Sequence, residues 1–295
     1  MPNAKIKNKD FWKAKIKESR EFMYYSDRLT ELSISMFEWK NLPDTIDERF
    51  LELTLFSTGM AVFFKDEVMG YLALTCMIGP GLNVYRIPVQ RTAYANNGYR
   101  KPLNIDDSVI IFNNMLHTNS LNVVEIMSAR LAELDQTIDV NTRAQKTPVL
   151  VKATETQRVT MLNLYKQFDG NMPVIFGDRE LTDQPLTAIR TDAPLVANQL
   201  YQLKADYWNE ALTYLGISNV NFQKKERMTT NEVERSAGAI SASRNSRLNA
   251  RKQACQQINE MFGLNIDCDY RNEYKEMFDE EEEQMELKEG DILNE

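Results

Sequence analysis

The side chains best suited to chemistry in this chain are its lysines and arginines, and the chemistry they suit is contact with a polyanion. Lys5, Lys7, Lys9, Lys13, Lys15, Lys17 and Arg20 crowd the first twenty residues, against only Asp10 and Glu18. A second group, Lys224, Lys225 and Arg227, opens a stretch from Gln223 to Gly238 that is dense in Lys, Arg, Glu, Thr and Asn and almost without large apolar side chains. Lysine clusters gain affinity for nucleic acid by releasing its counterions. The competing reading of the N-terminal block is a solvated, solubilising tail, the usual role of a terminal run of one sign. The chain as a whole is acidic, with a formal net charge of −8. Much of that excess sits between Glu273 and Glu295, including the run Asp279 to Glu283, which reads as a solvated tail.

Enzymatic constellations are sparse. The single histidine, His117, argues against a zinc cluster or a Ser–His triad and reads as a hydrogen-bonded structural residue. No Gly-x-x-x-x-Gly-Lys and no Gly-x-Gly-x-x-Gly occurs, so neither phosphate-binding loop is present. No Ser or Cys lies in a nucleophile elbow. Asp106, Asp107 and Asp178 sit near expected turns; a metal-dependent nuclease would need several carboxylates converging on one cation. Cys76, Cys255 and Cys268 are odd in number and far apart, which fits free, mostly buried thiols in a reducing compartment. No cofactor and no metal are expected. No apolar run approaches the roughly 20 residues that cross a bilayer, and the basic N-terminus has no apolar region after it, so it is not read as a secretory signal.

The elements that must position these groups follow from periodicity. The stretch from Arg190 to Glu234 organises the chain. Asp192 and Pro194 start a helix. Val196, Leu200, Leu203, Tyr207, Ala211 and Tyr214 give it an apolar face, Gly216 stops it, and the charged segment Gln223–Gly238 is expected to be an unstructured loop. Before it, Phe22 to Trp39 steps by three and four and reads as one amphipathic helix ended at Asn41-Leu42-Pro43; Asp47 to Phe56 reads as a second. Met60–Phe64, Val68–Cys76, Val84–Gln90 and Val109–Phe112 read as strands of a small mixed lobe, although Val68–Cys76 fits a short helix equally well. Asn122 to Thr142 is a long helix. Strands at Val149–Lys152, Met172–Phe176 and Thr187–Thr191, with a helix at Val159–Phe168, make a compact α/β insert. Ala239 to Phe262 is the last helix, with Leu248, Cys255, Ile258 and Phe262 on its apolar side, and Leu264 to Tyr270 alternates as a strand. The expected fold class is α+β, mainly helical.

Four local wordings, MFEWKNLP, AQKTPVLV, GNMPVIF with RTDAP, and WNEALTYLGI with KKERM, together resemble the head–tail connector (portal, or upper collar) proteins of picovirus-type short-tailed phages. The resemblance runs from about Met36 to about Arg271. It implies a homododecameric ring that is the channel for DNA packaging and ejection and the attachment site for the tail, in the virion at the portal vertex of the capsid. It implies a basic N-terminal arm (1–20), a wing (21–121 and 239–271), stem helices (122–146 and 191–216), a clip (147–190), a mobile channel loop (217–238) and an acidic tail (272–295). In that family rings of positive charge line the channel. The matching positions are Arg190, Gln199, Lys224 and Lys225, with Arg227 close by. Gln199 departs from the pattern, and Lys204, about one turn on, is the candidate replacement. The implied partners are further copies of the chain, viral double-stranded DNA, capsid and scaffolding proteins, a packaging ATPase that supplies the work, the lower collar or tail protein and, in members that use one, a packaging RNA; no membrane is implied. Two other classes remain open at this point: a collar or tail adaptor without a pore, and a soluble nucleic-acid enzyme with a mobile substrate loop.

Overall fold

The computed structural model describes residues 4–145, 149–152, 174–177, 186–188, 194–217 and 230–271; for 4–18, the three short strands after 145, 230–237 and 239 the description is of the backbone. Along the chain these residues form α1 (Ala4–Ile34), β1 (Phe37–Lys40), α2 (Glu48–Thr58), β2 (Met60–Asp66), β3 (Gly70–Ile78), β4 (Gln90–Tyr94), β5 (Arg100–Asn104), β6 (Ser108–Phe112) and α3 (Leu121–Ala144). There follow β7 (Val149–Lys152), β8 (Val174–Gly177), β9 (Leu186–Ala188), α4 (Ala197–Leu215), α5 (Thr230–Phe262) and β10 (Asp267–Tyr270). The fold is mixed α and β, with about half of the chain helical. It divides into two compact units, Met1–Glu18 with Arg130–Asp206, and Ser19–Ala129 with Tyr207–Glu295.

The second unit is built on an antiparallel sheet of order β5-β4-β3-β2-β6. Both faces of β2 are covered. Ala61 and Phe63 point into one buried cluster with Leu29, Leu51, Leu55, Ile111, Leu215 and Ile258; Val62 and Phe64 point into another with Ala93, Leu103 and Ile110. Double-sided burial is why β2 reads as an unbroken apolar run and not as an alternating one. Asp47 caps α2 by accepting from the Phe50 N–H at 2.8 Å. Gly59 ends α2 at φ 86°, where a Cβ would stand 2.8 Å from the Asn119 backbone nitrogen, so only glycine fits.

In the first unit β7 pairs parallel with β8 and antiparallel with β9. A parallel pair needs a long crossover, and the expected helix Val159–Phe168 falls in that connection, outside the described residues. The adjoining stretches of α3 and α4 are tied by polar contacts. The Asn141 amide donates to the Pro194 carbonyl at 2.9 Å and its oxygen accepts from the Val196 N–H at 3.1 Å. The Lys204 ammonium pairs with Asp135.

Several element bounds differ from the sequence expectation, each for a local reason. The first helix stops at Ile34, and Phe37–Lys40 is a strand paired antiparallel with Asp267–Tyr270. Phe37 and Trp39 satisfy a period of two as well as a helical one, and the partner strand lies more than 200 residues away. The N-terminal block has a helical backbone: α1 begins at Ala4 and runs unbroken through all six lysines, as Lys and Ala favour. Val84–Gln90 is no strand. Asn83 accepts from the Tyr85 and Ile87 N–H groups at 2.9 Å each and Arg86 lies at φ 61°, which folds the segment into a tight loop. Val68–Cys76 is resolved in favour of strand, and β4 and β5 are additional. The helix expected from Pro194 starts at Ala197, because the Val196 N–H is bound by Asn141 and its carbonyl takes the first helical bond from Leu200. The last helix begins at Thr230, not Ala239, so the second half of the expected channel loop is helical. Few apolar residues do not prevent a helix, and Glu232 and Glu234 stand in its first turns, where the helix dipole favours acid.

Candidate nucleic-acid interface

The positively charged candidates meet different fates. Lys5, Lys7, Lys9, Lys13, Lys15 and Lys17 lie on the helical backbone of α1, with 5, 9, 13 and 17 at four-residue steps. Gln199 lies exposed in the first turn of α4. Lys204, one turn on, is half-buried and bound to Asp135, so its charge is already countered within the chain. Arg190, Lys224, Lys225 and Arg227 lie outside the described residues. The acidic tail, 272–295, does too.

The end of α4 sets the direction in which the chain leaves toward Lys224. Gly216 takes φ 81°; its N–H bonds Thr213 O at 3.0 Å and the Ile217 N–H bonds Leu212 O at 2.9 Å, a Schellman closure. Arg244 of α5 donates from Nε to the Gly216 carbonyl at 2.7 Å, a cation on a helix C-terminus where the dipole favours it. The Arg247 guanidinium lies 4.9 Å from the Tyr214 ring centre in the last turn of α4.

These arginines are where the sequence reading missed most. In sequence, Arg244, Arg247, Arg251 and Lys252 crowd the first half of the expected helix Ala239–Phe262, where charge suggests a solvated face. Arg247 and Arg251 are instead buried, Arg251 to 2% exposure. Arg251 makes a two-pronged ion pair with Glu52 of α2, Nε to Oε1 at 2.9 Å and Nη2 to Oε2 at 2.7 Å, and donates to Asn113 O at 2.9 Å. Trp39 Nε1 donates to the same carboxylate at 2.8 Å, and the guanidinium lies 3.9 Å from the Phe37 ring centre. Burial alone would lower the Arg251 pKa; the Glu52 charge outweighs it and raises it. For Arg247, burial prevails and the pKa falls. A signal was present: 244, 247, 251, 255, 258 and 262 step by three and four, so the arginines share the face of Cys255, Ile258 and Phe262.

The other chemical candidates are structural in setting. His117, at φ 62°, stacks on Phe112 at 3.5 Å with ring planes 6° apart, and desolvation lowers its pKa. Cys76, Cys255 and Cys268 are buried and unpaired by disulfides. Burial pushes Cys76 up to about 11 and Cys255 up to about 12. Among the described residues no group of His, Cys, Asp and Glu is arranged to hold a metal ion, and no helix is long and apolar enough to cross a membrane.

Residues 7–275, most of the chain, match the protein family described as Phage Connector (GP10). The chain belongs to the phage connector family. A phage connector is a structural protein of the head–tail junction. Solved structures similar to this connector include the portal and tail of native bacteriophage P68, at 17% identity and TM-score 0.49, covering 90% of each chain. The virion of a native gene transfer agent particle matches at 11% identity and TM-score 0.45, covering 91% of this connector and 84% of that chain. A phage portal protein from Corynebacterium diphtheriae matches at 11% identity and TM-score 0.42, covering 86% and 91%.

Proposed function

We propose that this connector closes into a dodecameric ring whose channel passes double-stranded DNA during packaging and ejection, at the portal vertex of a phage capsid. The observation that carries the reading is apolar surface left uncovered on the two long helices that flank the β7–β9 insert. Val140 on α3 is 65% exposed, Tyr201 on α4 67% and Leu195, just before α4, 65%; this stretch is tied by polar contacts, whereas the other ends of the helices, Val124 and Met127 with Ala211, Leu212 and Leu215, share a buried apolar cluster. Large apolar side chains in that position need cover from another copy, and head-to-tail contacts that close give a ring.

In this reading α3 and α4 are the stem, 147–190 the clip, the sheet with α5 and β10 the wing, and the residues between α4 and α5 the channel loop. Arg190, Lys224, Lys225 and Arg227 form basic rings, and Gln199 leaves a neutral one between them. Lys204, countered by Asp135, does not restore it. A mostly acidic lumen keeps a duplex off its walls, and a few basic rings make transient phosphate contacts without a deep well. The ring hydrolyses nothing: a separate ATPase drives the DNA. Capsid, scaffolding and lower-collar proteins meet its outer surface, and the lysines of α1 suit a nucleic acid, packaging RNA included.

Negative-stain imaging with light scattering of the purified protein tests the reading. Rings of twelvefold symmetry with a central hole are expected. A monodisperse monomer would sink it, and an oligomer without a hole would favour a pore-less adaptor.

A further inference from the structure

We infer that the outer edge of β6 is a docking site for an extended, positively charged strand of a partner protein. Among the described residues β6 ends its sheet and pairs only with β2. The bond from the Asn113 N–H to the Gly59 carbonyl, at 2.9 Å, fixes the phase of that ladder. Ile111 stands opposite Ala61 and Val109 opposite Phe63, so these residues bond toward β2. The N–H and C=O groups of Ile110 and Phe112 then face outward. Ser108 belongs to the same outward set, and its carbonyl accepts from Arg91 Nη1 at 3.2 Å. Among the described residues no hydrogen bond reaches Ile110 or Phe112 from that side.

The two edge strands of the sheet differ in kind. β5 reads Arg-Lys-Pro-Leu-Asn and carries the charges and the proline that keep an edge from pairing; β6 reads Ser-Val-Ile-Ile-Phe and carries neither. An edge of that composition with free backbone groups is a template for another strand. Beside it runs a groove of about 600 Å³, walled on its far side by α5 and within the size range of built binding pockets. The groove mixes exposed apolar side chains, Ile105, Met115 and Met261, with polar ones, Gln253 and Gln257. Strand addition uses both kinds: backbone bonds supply affinity, and pockets for alternate side chains supply specificity. The rim sets the sign of the occupant. Asp106 and Glu260 line the groove and are exposed. The one cation in the lining among the described residues, Arg91, is buried, and its Nη2 donates to Pro88 O at 2.9 Å. His117 also lines the groove; desolvation lowers its pKa, so it is neutral near pH 7. An incoming lysine or arginine meets two carboxylates and no exposed cation. The inference rests on neither the ring nor the channel.

The test uses the full-length protein and a fluorescein-labelled peptide, Lys-Val-Thr-Val-Thr-Val-Lys, titrated by fluorescence anisotropy. Saturable binding is expected. Methylating the backbone nitrogens of either the valines or the threonines removes one alternate set of donors. One set should weaken binding roughly tenfold or more, because it removes the bonds to β6, and the other much less. Asp106→Lys with Glu260→Lys should weaken binding about fivefold, and a peptide with glutamates in place of its lysines should regain it on that variant. Both sites are exposed, so the fold should hold, and the methylated peptides test the wild-type protein in any case. Residue-resolved hydrogen exchange should show the Ile110 and Phe112 amides slowed by the peptide and those of Val109 and Ile111 unchanged. No binding, binding indifferent to both methylations, or binding without that alternate protection would overturn the inference. So would Ile110 and Phe112 amides already protected in the purified protein and freed on dilution, since a second copy would then fill the edge. Light scattering on the same samples reports ring assembly separately.

Discussion

The buried pair between Glu52 and Arg251 offers the sharpest test of how the wing-like unit is held together. It joins α2 to α5 across 199 positions of sequence, with each side chain 2% exposed. Removing one partner leaves the other charge buried and uncompensated, which costs about 3–5 kcal/mol. Arg251→Met should therefore destabilise by about that much, since Glu52 keeps only the Trp39 indole at 2.8 Å. Glu52→Gln should cost a similar amount, because it keeps an acceptor for Trp39 but strands the guanidinium. Combined, the two changes remove both charges, and Met refills much of the volume. What remains is Asn113 O without its donor, about 1–3 kcal/mol. The double variant should be no less stable than either single one, and the coupling energy should be about 3 kcal/mol or more. Urea unfolding followed by tryptophan fluorescence measures it, at one fixed protein concentration because assembly adds to apparent stability. Additive effects, or a cost below about 1 kcal/mol for Arg251→Met, would show that the pair does not hold the unit as argued.

Gly216→Ala should destabilise by about 1–2 kcal/mol from its left-handed φ alone, with crowding added because a Cβ would meet Arg244 Cγ at 3.0 Å and its backbone nitrogen at 3.1 Å; Gly238→Ala, in a helix with nothing within 4 Å, should instead stabilise by about 0.5–1 kcal/mol, and thermal unfolding compares the two. Lys204→Met should leave the salt dependence of DNA binding unchanged, because Asp135 already counters that charge; a slope smaller by about 0.9 would mean that Lys204 contacts phosphate. The thiols of Cys76, Cys255 and Cys268 all have folded pKa values raised above the unfolded one by burial. Their contribution is therefore whole below about pH 9 and is lost as pH rises from about 9 toward 12, where the unfolded chain has shed protons that the folded chain still holds. The urea midpoint should fall over that window and fall less in a Cys76→Ala variant, and a midpoint that rises would contradict the sign.

What the sequence made legible is what local patterning can encode. The short helix after Asp47, the stop at Gly216 and the strand Val149–Lys152 stand where residue chemistry puts them. What it hid was settled by partners distant in sequence. Phe37–Lys40 is a strand because Asp267–Tyr270 pairs with it; without that partner the same residues continue a helical stripe. Arg251 looks like surface charge until Glu52 is brought beside it. The same distinction bears on the site. Lys204 is a plausible replacement for the missing charge at Gln199 by position alone, one turn along the same helix. Asp135, 69 residues earlier, takes that charge up. Position along a helix decides where a side chain can reach, but the opposite charge already within reach decides what it has left to offer a passing phosphate. In the proposed channel a charge ring is therefore counted net of such internal pairs, which removes Lys204 and leaves Arg190, Lys224, Lys225 and Arg227 as the proposed basic positions.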